Sequence, residues 1–377
     1  MKTIRDIKVL KGVKVFLRAD FNVPIKNGRV MEDFRIRAAL PTINYLLSKG
    51  AKVILTSHLE VKEGESNSLA PISAVLGKLG VPVMFVKDMR AAHATIENDL
   101  QDGQCALLEN LRDWEGEKGN DLKFAKELAS LADIYVNDAF SVCHRAHASV
   151  VSVPKFLPSY AGFQLEKEVA NLSKAFTPAH PFLFILGGAK FETKLPLLAR
   201  FIKTADAVFV GGALANDFFK AKGYEVGQSL LSKGDFDFKP FLNDPKLMLP
   251  VDVITQEHVT KADSGLSKTD IVEDDGPKTV AMLQEKIKSA KFILWNGPLG
   301  LYEGGYKEPT LALAKAIGEA TGHGATTIVG GGDTLAAIAE LGIDDQFTFI
   351  STAGGAMLDF LAKGTLPGIE ALEQSEE

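Results

Sequence analysis

Short, continuous apolar runs alternate with amphipathic segments along almost the whole chain, and this alternation constrains the fold more than any other feature. Each run is apolar throughout, which indicates a strand buried on both faces. The runs are Val13–Leu17, Val53–Leu55, Val81–Val86, Ala106–Leu108, Ile134–Val136, Phe182–Leu186, Ala207–Val210, Val251–Ile254, Phe292–Trp295, Thr327–Val329 and Phe347–Ile350. Helical patterns separate them, as in Arg37–Leu47, Ala70–Leu79, Asp121–Ala132 and Thr310–Ala320. Strands that alternate with helices predict parallel sheets joined by right-handed crossovers.

These runs are too many for one ordinary sheet, so we expect two sheets. The length of 377 residues also favours two domains. The division should fall near residues 150–180, a stretch with three prolines and one amphipathic helix. The apolar residues of that helix are Leu165, Val169, Leu172 and Phe176. A helix between two such domains is a candidate hinge.

Composition excludes several classes of protein. The 46% apolar and 24% charged residues exclude a disordered chain and a disulfide scaffold. The apolar runs fall short of the ~20 residues that span a bilayer, and the first residues lack the apolar core of a secretory signal. The two cysteines, Cys105 and Cys143, lie far apart in sequence and favour free thiols in a reducing compartment. We therefore expect a cytoplasmic protein.

Charge is divided unevenly between the two halves. Residues 1–163 carry 22 Lys and Arg against 19 Asp and Glu, a net of +3, whereas residues 164–377 carry 20 against 29, a net of −9. The first half is therefore the better candidate for binding a small anion. Chance scatter of charge is the alternative. The overall net charge of −6 argues against a nucleic-acid partner.

Ligands of open parallel sheets bind beyond the carboxyl ends of the strands, where the first half carries charged and hydrogen-bonding side chains. Guanidinium groups bind phosphate or carboxylate in bidentate fashion, so arginines on neighbouring strand ends favour an anion site. Taken alone, each of these residues is better explained as a partner in a structural ion pair. Only their grouping at successive strand ends supports a ligand-binding site. The residues are Arg18, Asp20, Asn22, Arg35, Thr56, Ser57, His58, Glu109, Asn110, Arg112, Asn137, Asp138, His144, Arg145 and His147.

The second half carries glycine at the corresponding strand ends. Glycine allows close approach of the backbone to a ligand, and the N–H groups that open the next helix favour phosphate, so five such turns predict a nucleotide site. Tight strand–helix turns without a ligand are the alternative. The turns are Gly187–Lys190, Gly211–Ala213, Asn296–Pro298, Gly330–Thr334 and Thr352–Gly355.

Side chains next to these turns also support the prediction of a nucleotide site. Lys190 and Lys194 lie four apart and could share one helix face. Asp333 suits a single carboxylate on a nucleotide-bound magnesium ion. The P-loop motif is absent, the dinucleotide motif is matched only in part, and no Cys/His set has zinc spacing.

Seven motifs, taken together and in order, resemble the phosphoglycerate kinase family over nearly the whole chain. They are Phe16-Leu-Arg-Ala-Asp-Phe-Asn-Val-Pro24, Leu108-Glu-Asn-Leu-Arg112, Val136-Asn-Asp-Ala-Phe140 with His144-Arg-Ala-His147, Leu186-Gly-Gly-Ala-Lys190, Trp295-Asn-Gly-Pro298, Gly330-Gly-Gly-Asp-Thr334 and Leu366-Pro-Gly368. The resemblance implies an α/β fold of two Rossmann-like, three-layer domains whose parallel sheets face a hinge cleft. Residues 1–163 with the tail 365–377 would bind phosphoglycerate, and residues 164–364 would bind the nucleotide.

The implied reaction is reversible, Mg²⁺-dependent phosphoryl transfer between 1,3-bisphosphoglycerate and ADP, giving 3-phosphoglycerate and ATP. The resemblance suggests a monomer with small-molecule substrates, and neither a nucleic acid nor a membrane is an expected partner. The implied phosphoglycerate site is Asp20, Asn22, Arg35, His58, Arg112 and Arg145. The implied nucleotide site is Gly187, Gly188, Lys190, Lys194, Gly211, Gly212, Asn296, Pro298, Glu303, Gly331, Gly332, Asp333 and Thr334, with Asp333 on the metal and Glu303 on the ribose. The expected catalytic groups are Arg35, Lys194 and the backbone N–H groups of Gly354 and Gly355.

The chain departs from the family pattern in a few places. Where the family has Ser-His-Leu-Gly-Arg-Pro, this chain has Ser57-His58-Leu59-Glu60-Val61-Lys62. It therefore lacks a phosphate-binding arginine, and our hypothesis is that Lys62 replaces it in part. Phe191-Glu192-Thr193 follows Lys190, and Ala353 stands in a turn that usually has three glycines. The altered loop leaves open an alternative, that this chain is a related nucleotide-binding protein with weak or no turnover. A nicotinamide dehydrogenase is a third and weaker hypothesis.

Overall fold

The computed structural model describes residues 1–60, 66–234 and 236–375, and the chain forms two compact units. The first unit comprises Met1–Ala170 and Lys363–Glu377, and the second comprises Asn171–Ala362. The boundary between the units falls after Ala170, seven residues later than the boundary at residue 163 that the resemblance implied. The amphipathic helix begins within the first unit and is attached to it. The Asp138 carboxylate accepts hydrogen bonds from the backbone N–H groups of Gln164 and Leu165, the first of 2.8 Å. Val61 and Lys62 lie outside the described residues.

The first unit is built on a six-stranded parallel sheet. Its strands, in chain order, are β1 (Lys14–Arg18), β4 (Lys52–Thr56), β5 (Val83–Val86), β6 (Cys105–Leu108), β7 (Ile134–Asn137) and β8 (Ser159–Ala161). The spatial order is β5-β6-β4-β1-β7-β8, and a short antiparallel hairpin of β2 (Ile25–Lys26) and β3 (Arg29–Val30) follows β1. Because the pairings in the main sheet are all parallel, the carboxyl ends of β1, β4, β6 and β7 share one edge.

Helices of the first unit connect and cover these strands. They are α1 (Phe34–Ser48), α2 (Ala70–Lys78), α3 (Met89–Asn98), α4 (Glu115–Lys118), α5 (Leu122–Ala129) and α6 (Phe163–Leu172). Strand residues such as Val15, Leu17 and Val53 pack with Ile36 and Ile43 of α1 in one continuous core. The continuous apolar character of the strands is explained by this burial on both faces.

The second unit is built on another six-stranded parallel sheet. Its strands are β9 (Phe182–Leu186), β10 (Ala207–Val210), β11 (Leu247–Met248), β15 (Phe292–Asn296), β16 (Thr326–Gly330) and β17 (Phe349–Ser351), in the spatial order β11-β10-β9-β15-β16-β17. The helices are α7 (Phe191–Thr204), α8 (Ala213–Ala221), α9 (Lys239–Leu242), α10 (Pro277–Ser289), α11 (Glu308–Gly322), α12 (Gly332–Leu341) and α13 (Gly355–Lys363). The prediction of two α/β domains with parallel sheets is confirmed.

One predicted strand belongs to a different sheet. The run Val251–Ile254 corresponds to β12 (Asp252–Thr255), which pairs antiparallel with β13 (Val259–Lys261) and β14 (Val272–Asp275). A parallel pairing was therefore wrong for this run. Within this strand, Val253 packs with residues of α8 in a separate small core.

The last helix, α14 (Pro367–Gln374), belongs to the first unit. The Gly368 N–H donates to the Cys143 carbonyl oxygen at 2.9 Å. A β-carbon at Gly368 would lie 2.8 Å from a Val150 methyl group, so this contact requires glycine. Within the described residues, none of the helices combines the length and the apolar character needed to cross a bilayer.

Candidate active site

The carboxyl edge of the first sheet gathers the cationic residues predicted from the sequence. Arg35 reaches Asp20 with Nη1 at 2.5 Å from Oδ2, and the Ser141 hydroxyl donates to the same oxygen at 2.5 Å. The Asn22 backbone N–H donates to the other carboxylate oxygen of Asp20 at 3.0 Å. Asp20 therefore orients Arg35 and fixes the loop that follows β1.

His58 follows β4 and is buried beside Arg18, the last residue of β1. The Arg18 Nη2 atom lies 3.2 Å from the His58 Nδ1 atom. Burial lowers the pKa of His58 well below 6.5, and the charges of Arg18, Arg112, Arg145 and Arg35 act in the same direction. His58 is therefore neutral at pH 7 and can offer a hydrogen bond rather than a charge.

Glu60 bridges two of the predicted arginines. Its Oε1 atom accepts a hydrogen bond from Arg112 Nη1 and another of 2.8 Å from Arg145 Nη1. Hydrogen bonds from these guanidinium groups lower the pKa of Glu60 to about 2. The Glu60 carboxylate thus occupies the position between the two guanidinium groups, called the fork below, where an anion would be held by both arginines.

Arg112 has binding capacity left after that contact. Its side chain is only 8% exposed, and its Nε and Nη2 atoms have no hydrogen-bond partner among the described residues. Buried donors are normally satisfied, so these two nitrogen atoms can donate to an acceptor that the described residues do not supply. Two parallel N–H donors match the oxygens of a phosphate or carboxylate.

His147 supports the same electrostatic picture. Burial lowers its pKa to about 4, assisted by the positive charges of Arg112 and Arg145. The nearest carboxylate, Glu117, lies 3.9 Å from Nδ1 and accepts two hydrogen bonds from Ser149. Burial, with the nearby arginine charges acting in the same direction, therefore keeps both imidazoles uncharged at neutral pH.

The carboxyl edge of the second sheet is formed by closely packed glycine turns. Gly187 donates its N–H to the Asn296 carbonyl oxygen, and Gly188 donates to that of Pro298, each at 2.9 Å. Gly212 has φ of 60°, and a β-carbon there would lie 2.8 Å from the Gly188 nitrogen. These contacts join the turns after β9, β10 and β15. Gly211 belongs to the second of these turns, because it directly follows the last residue of β10.

Lys194 is buried in the first turns of α7, against these glycines. Its Nζ atom donates to the Gly187 carbonyl oxygen. A β-carbon at Gly297 would lie 2.6 Å from the same Nζ atom, so the ammonium group also packs against Gly297. Burial lowers the pKa of Lys194 to about 8, an effect that the Asp333 carboxylate opposes. Lys190 lies before the first residue of α7 and is exposed, so the two lysines have different surroundings.

The turn after β16 brings Thr334 and Asp333 to the same edge. The Thr334 hydroxyl accepts a hydrogen bond of 3.0 Å from the Gly297 N–H, which ties α12 to the turn after β15. Asp333 lies half-buried on the first turn of α12, after Gly331 and Gly332. Asn296 and Pro298 are buried at the end of β15, whereas Glu303 is exposed in the short helical turn Tyr302–Gly304.

The turn before α13 presents Gly354 and Gly355 at the surface. Gly354 has φ of 55°, which favours glycine, whereas Ala353 is not among the described residues with positive φ. Replacement of a glycine by Ala353 is therefore compatible with this turn. Gly355 is the first residue of α13, so its N–H lies at a helix N-terminus.

Comparison with known proteins decides the family. A family model described as phosphoglycerate kinase matches residues 4–364. The chain belongs to the phosphoglycerate kinase family. The chain is 42% identical over 394 residues to the phosphoglycerate kinase of Dictyoglomus turgidum, covering 99% of both chains. It is 43% identical over 397 residues to that of Thermosipho africanus, covering 100% of this chain and 98% of the relative.

Solved structures agree with the family. The structure of phosphoglycerate kinase from Coxiella burnetii matches with a TM-score of 0.87 at 36% identity, covering 100% of this chain and 99% of that one. The corresponding enzyme structure from Pyrococcus horikoshii matches with a TM-score of 0.83 at 33% identity and the same coverage.

Some contacts in the phosphoglycerate kinase fold of this chain were missed by sequence reasoning. Arg18 is absent from the residues expected in the phosphoglycerate site, although its position at the end of β1 was the available signal. Ser141 and the bridging position of Glu60 gave no signal, because their partners are 121, 52 and 85 residues away in sequence. Such contacts depend on how the strand ends meet in space.

Proposed function

We propose that this protein catalyses reversible phosphoryl transfer between 1,3-bisphosphoglycerate and ADP, giving 3-phosphoglycerate and ATP. The observation that carries the proposal is the family match over residues 4–364, which spans both the cationic edge and the glycine-lined edge. The alternative of a nucleotide-binding relative without turnover is not favoured, since curated relatives along the whole chain are phosphoglycerate kinases.

The phosphoglycerate site is proposed at the cationic edge of the first unit. Its residues are Asp20, Asn22, Arg35, His58, Arg112 and Arg145. Support comes from the unpartnered donors of Arg112 and from the orientation of Arg35 by Asp20. A neutral His58 would donate from Nε2 to an oxygen of the ligand, because its Nδ1 faces the Arg18 donor.

The nucleotide site is proposed at the glycine-lined edge of the second unit. Its residues are Gly187, Gly188, Lys190, Lys194, Gly211, Gly212, Asn296, Pro298, Glu303, Gly331, Gly332, Asp333 and Thr334. The buried ammonium of Lys194 and the backbone N–H groups at the N-terminus of α12 supply positive charge for phosphate oxygens. The exposed Glu303 carboxylate is suited to accept hydrogen bonds from ribose hydroxyls.

The chemistry requires positioning and neutralisation of charge rather than a general base. In the direction of ATP use, an oxygen of the ionised 3-phosphoglycerate carboxylate forms the new bond to the γ-phosphorus. The bond between that phosphorus and the bridging oxygen of ADP breaks, and ADP keeps the electron pair. We propose that Arg35, Lys194 and the N–H groups of Gly354 and Gly355 stabilise the charge on the phosphoryl group in transit.

The residues present fit a magnesium ion that arrives with the nucleotide. Mg²⁺ is usually held by one or two carboxylates together with phosphate oxygens, and Asp333 offers one carboxylate at the glycine-lined edge. Among the described residues, no group of three or more His, Cys, Asp or Glu side chains could hold a metal without such help. When bound, the ion would neutralise charge on the phosphates, with Asp333 orienting it.

The setting of the enzyme is part of the proposal. We infer a monomer in the cytoplasm whose partners are its small-molecule substrates. The two cysteines support a reducing compartment because both are free and buried. Burial raises the pKa of Cys105 above the usual range and that of Cys143 to about 12, so neither thiol is reactive at neutral pH.

A coupled assay tests the proposed function. ADP formation from MgATP should require 3-phosphoglycerate, and MgATP alone should give no turnover. Binding of ATP with no turnover in the presence of 3-phosphoglycerate would instead support the alternative function. A Val61→Arg variant, which restores the arginine of the family motif, should have a lower KM for 3-phosphoglycerate.

A further inference from the structure

Glu60 stands where the related family has glycine, and it contacts two residues of the proposed phosphoglycerate site. We propose that Glu60 is a specificity-determining residue, whose carboxylate competes with the substrate phosphate for Arg112 and Arg145. This inference rests on the proposed function. An anion that binds to both Arg112 Nη1 and Arg145 Nη1 must replace the Glu60 carboxylate, so Glu60 affects both the affinity and the charge that the ligand needs.

The backbone holds Glu60 in place for this role. The Glu60 N–H donates to Asn22 Oδ1 at 2.9 Å. The preceding residue, Leu59, is fixed on both sides by the Asn110 side chain, with N–H to Oδ1 and Nδ2–H to carbonyl distances of 3.1 Å. Asn110 also accepts from the Arg112 N–H at 3.1 Å. One amide side chain therefore sets the spacing between the Glu60 and Arg112 backbones.

The side chain itself remains displaceable. Glu60 is 47% exposed, so its carboxylate can turn into water without the cost of burying a charge elsewhere. With its pKa near 2, the group stays ionised at physiological pH, and protonation does not relieve the competition. The contact is thus a reversible ion pair whose anionic member can be exchanged for another anion.

The effect on affinity follows from the fraction of time for which the two arginines are free. Apparent affinity is reduced by that fraction, so arginines that are free for about one tenth of the time raise the dissociation constant about tenfold. Two charge-assisted hydrogen bonds to one tethered carboxylate make such a fraction reasonable.

The competition also discriminates between ligands. A phosphate group carries about −1.5 to −2 charges at pH 7 and offers three acceptor oxygens, whereas a carboxylate carries one charge and two oxygens. A phosphate can therefore replace Glu60 with a net gain in charge-assisted hydrogen bonds. A monocarboxylate ligand exchanges one carboxylate for another and gains little.

Binding measurements on substituted full-length proteins test this proposal. Glu60→Gln removes the charge at nearly constant shape, and Glu60→Gly removes the side chain. Titration calorimetry with 3-phosphoglycerate should give dissociation constants about tenfold lower than wild type in both variants. Glu127→Gln, which removes an exposed carboxylate from α5, is the matched control and should leave the constant unchanged. An unchanged or higher dissociation constant in both Glu60 variants would overturn the proposal.

Two further arms separate this inference from the proposed function. Inorganic phosphate is the second probe, and it should also bind about tenfold more tightly to Glu60→Gln. If 3-phosphoglycerate supported no turnover in any variant while phosphate still bound more tightly, the proposed function would fail and the competition would stand. In an Arg112→Ala/Arg145→Ala background, the gain from Glu60→Gln should disappear; a gain of unchanged size there would overturn direct competition.

Discussion

The Arg18 guanidinium donates toward Nδ1 of His58 across 3.2 Å, in a region from which solvent is excluded. A guanidinium has no acceptor, so Nδ1 of the imidazole must accept and Nε2 must carry the proton. The arrangement places a neutral donor, rather than a second cation, at the edge of the proposed phosphoglycerate site. It also couples the last residue of β1 to the loop after β4.

The first prediction concerns the protonation of His58. Its lowered pKa should keep the ring neutral, with the proton on Nε2, from pH 8 down to pH 6. Nitrogen-15 NMR of the histidine side chains measures this directly, and a His58→Gln variant assigns the signal. Two protonated ring nitrogens at pH 6 would contradict the prediction.

The second prediction concerns Lys194, whose ammonium contacts the Gly187 carbonyl oxygen. Lys194→Ala should lower kcat by about 100-fold or more and change the nucleotide dissociation constant far less, as expected for a contact that strengthens in the transition state. Lys203→Ala, an exposed lysine in the last turn of α7, is the control and should retain kcat. A loss confined to nucleotide affinity would make Lys194 a ground-state contact.

The pH dependence of the wild-type enzyme gives a second readout for Lys194. The charged form predominates below its pKa of about 8 and is lost as the pH rises through that value. We therefore expect kcat to fall between pH 7.5 and pH 9. A Lys194→Arg variant keeps its charge over this range, so any remaining activity should lack this limb.

The third prediction concerns Asp333. Asp333→Asn should raise the dissociation constant of the magnesium–nucleotide complex by about tenfold, because the proposed carboxylate ligand loses its charge. Affinity for the same nucleotide in the presence of EDTA should change much less. Equal magnesium–nucleotide affinity in the variant and wild type would remove Asp333 from the metal site.

The fourth prediction concerns stability and a pair of buried carboxyls at the end of β14. Burial raises the pKa of Asp275 well above its usual range, assisted by the charges of Asp274 and Asp252. Burial likewise raises the pKa of Asp274 to about 8. The folded state therefore binds more protons than the unfolded state, and its stability falls as the pH rises from about 4 through the folded-state pKa values.

Asp275→Asn should remove part of this loss. The Asp275 Oδ2 atom is buried without a hydrogen-bond partner in the described part of the chain. We expect the free energy of unfolding at pH 8 to rise by about 1–3 kcal/mol, with little change at pH 4. Urea unfolding followed by Trp295 fluorescence in a Trp114→Phe background measures the second unit. Asp345→Asn, at an exposed position, is the control; equal gains in the two variants would indicate a general charge effect.

Sequence patterns predicted the main strands because burial on both faces leaves a continuous apolar run. Phe182–Leu186 and Ala207–Val210 match the observed strands residue for residue. The edge strands Ser159–Ala161 and Leu247–Met248 were not predicted, since two or three residues carry no recognisable period. The antiparallel pairing of Asp252–Thr255 was also missed, because apolar character does not encode strand direction.

The candidate site was predictable in its residue types and less so in its contacts. Strand-end positions identified His58 and Arg112, and the departure at Glu60 was visible in the motif. The sequence did not indicate that the Glu60 carboxylate reaches two arginines, because a side chain's reach depends on loop geometry. For the same reason, the spacing of Lys190 and Lys194 did not distinguish the exposed lysine from the buried one.

The position of the last helix has a consequence for synthesis of the chain. Ala371 packs on Ala139, Val142, Val150 and Val151, all of which are translated long before it. At about 5–20 residues per second, a ribosome needs roughly 10–40 s to pass through the second unit before it supplies this cover. During that time the nascent first unit exposes the apolar surface that α14 later covers. A chaperone that binds exposed apolar surface would have its largest effect in this interval.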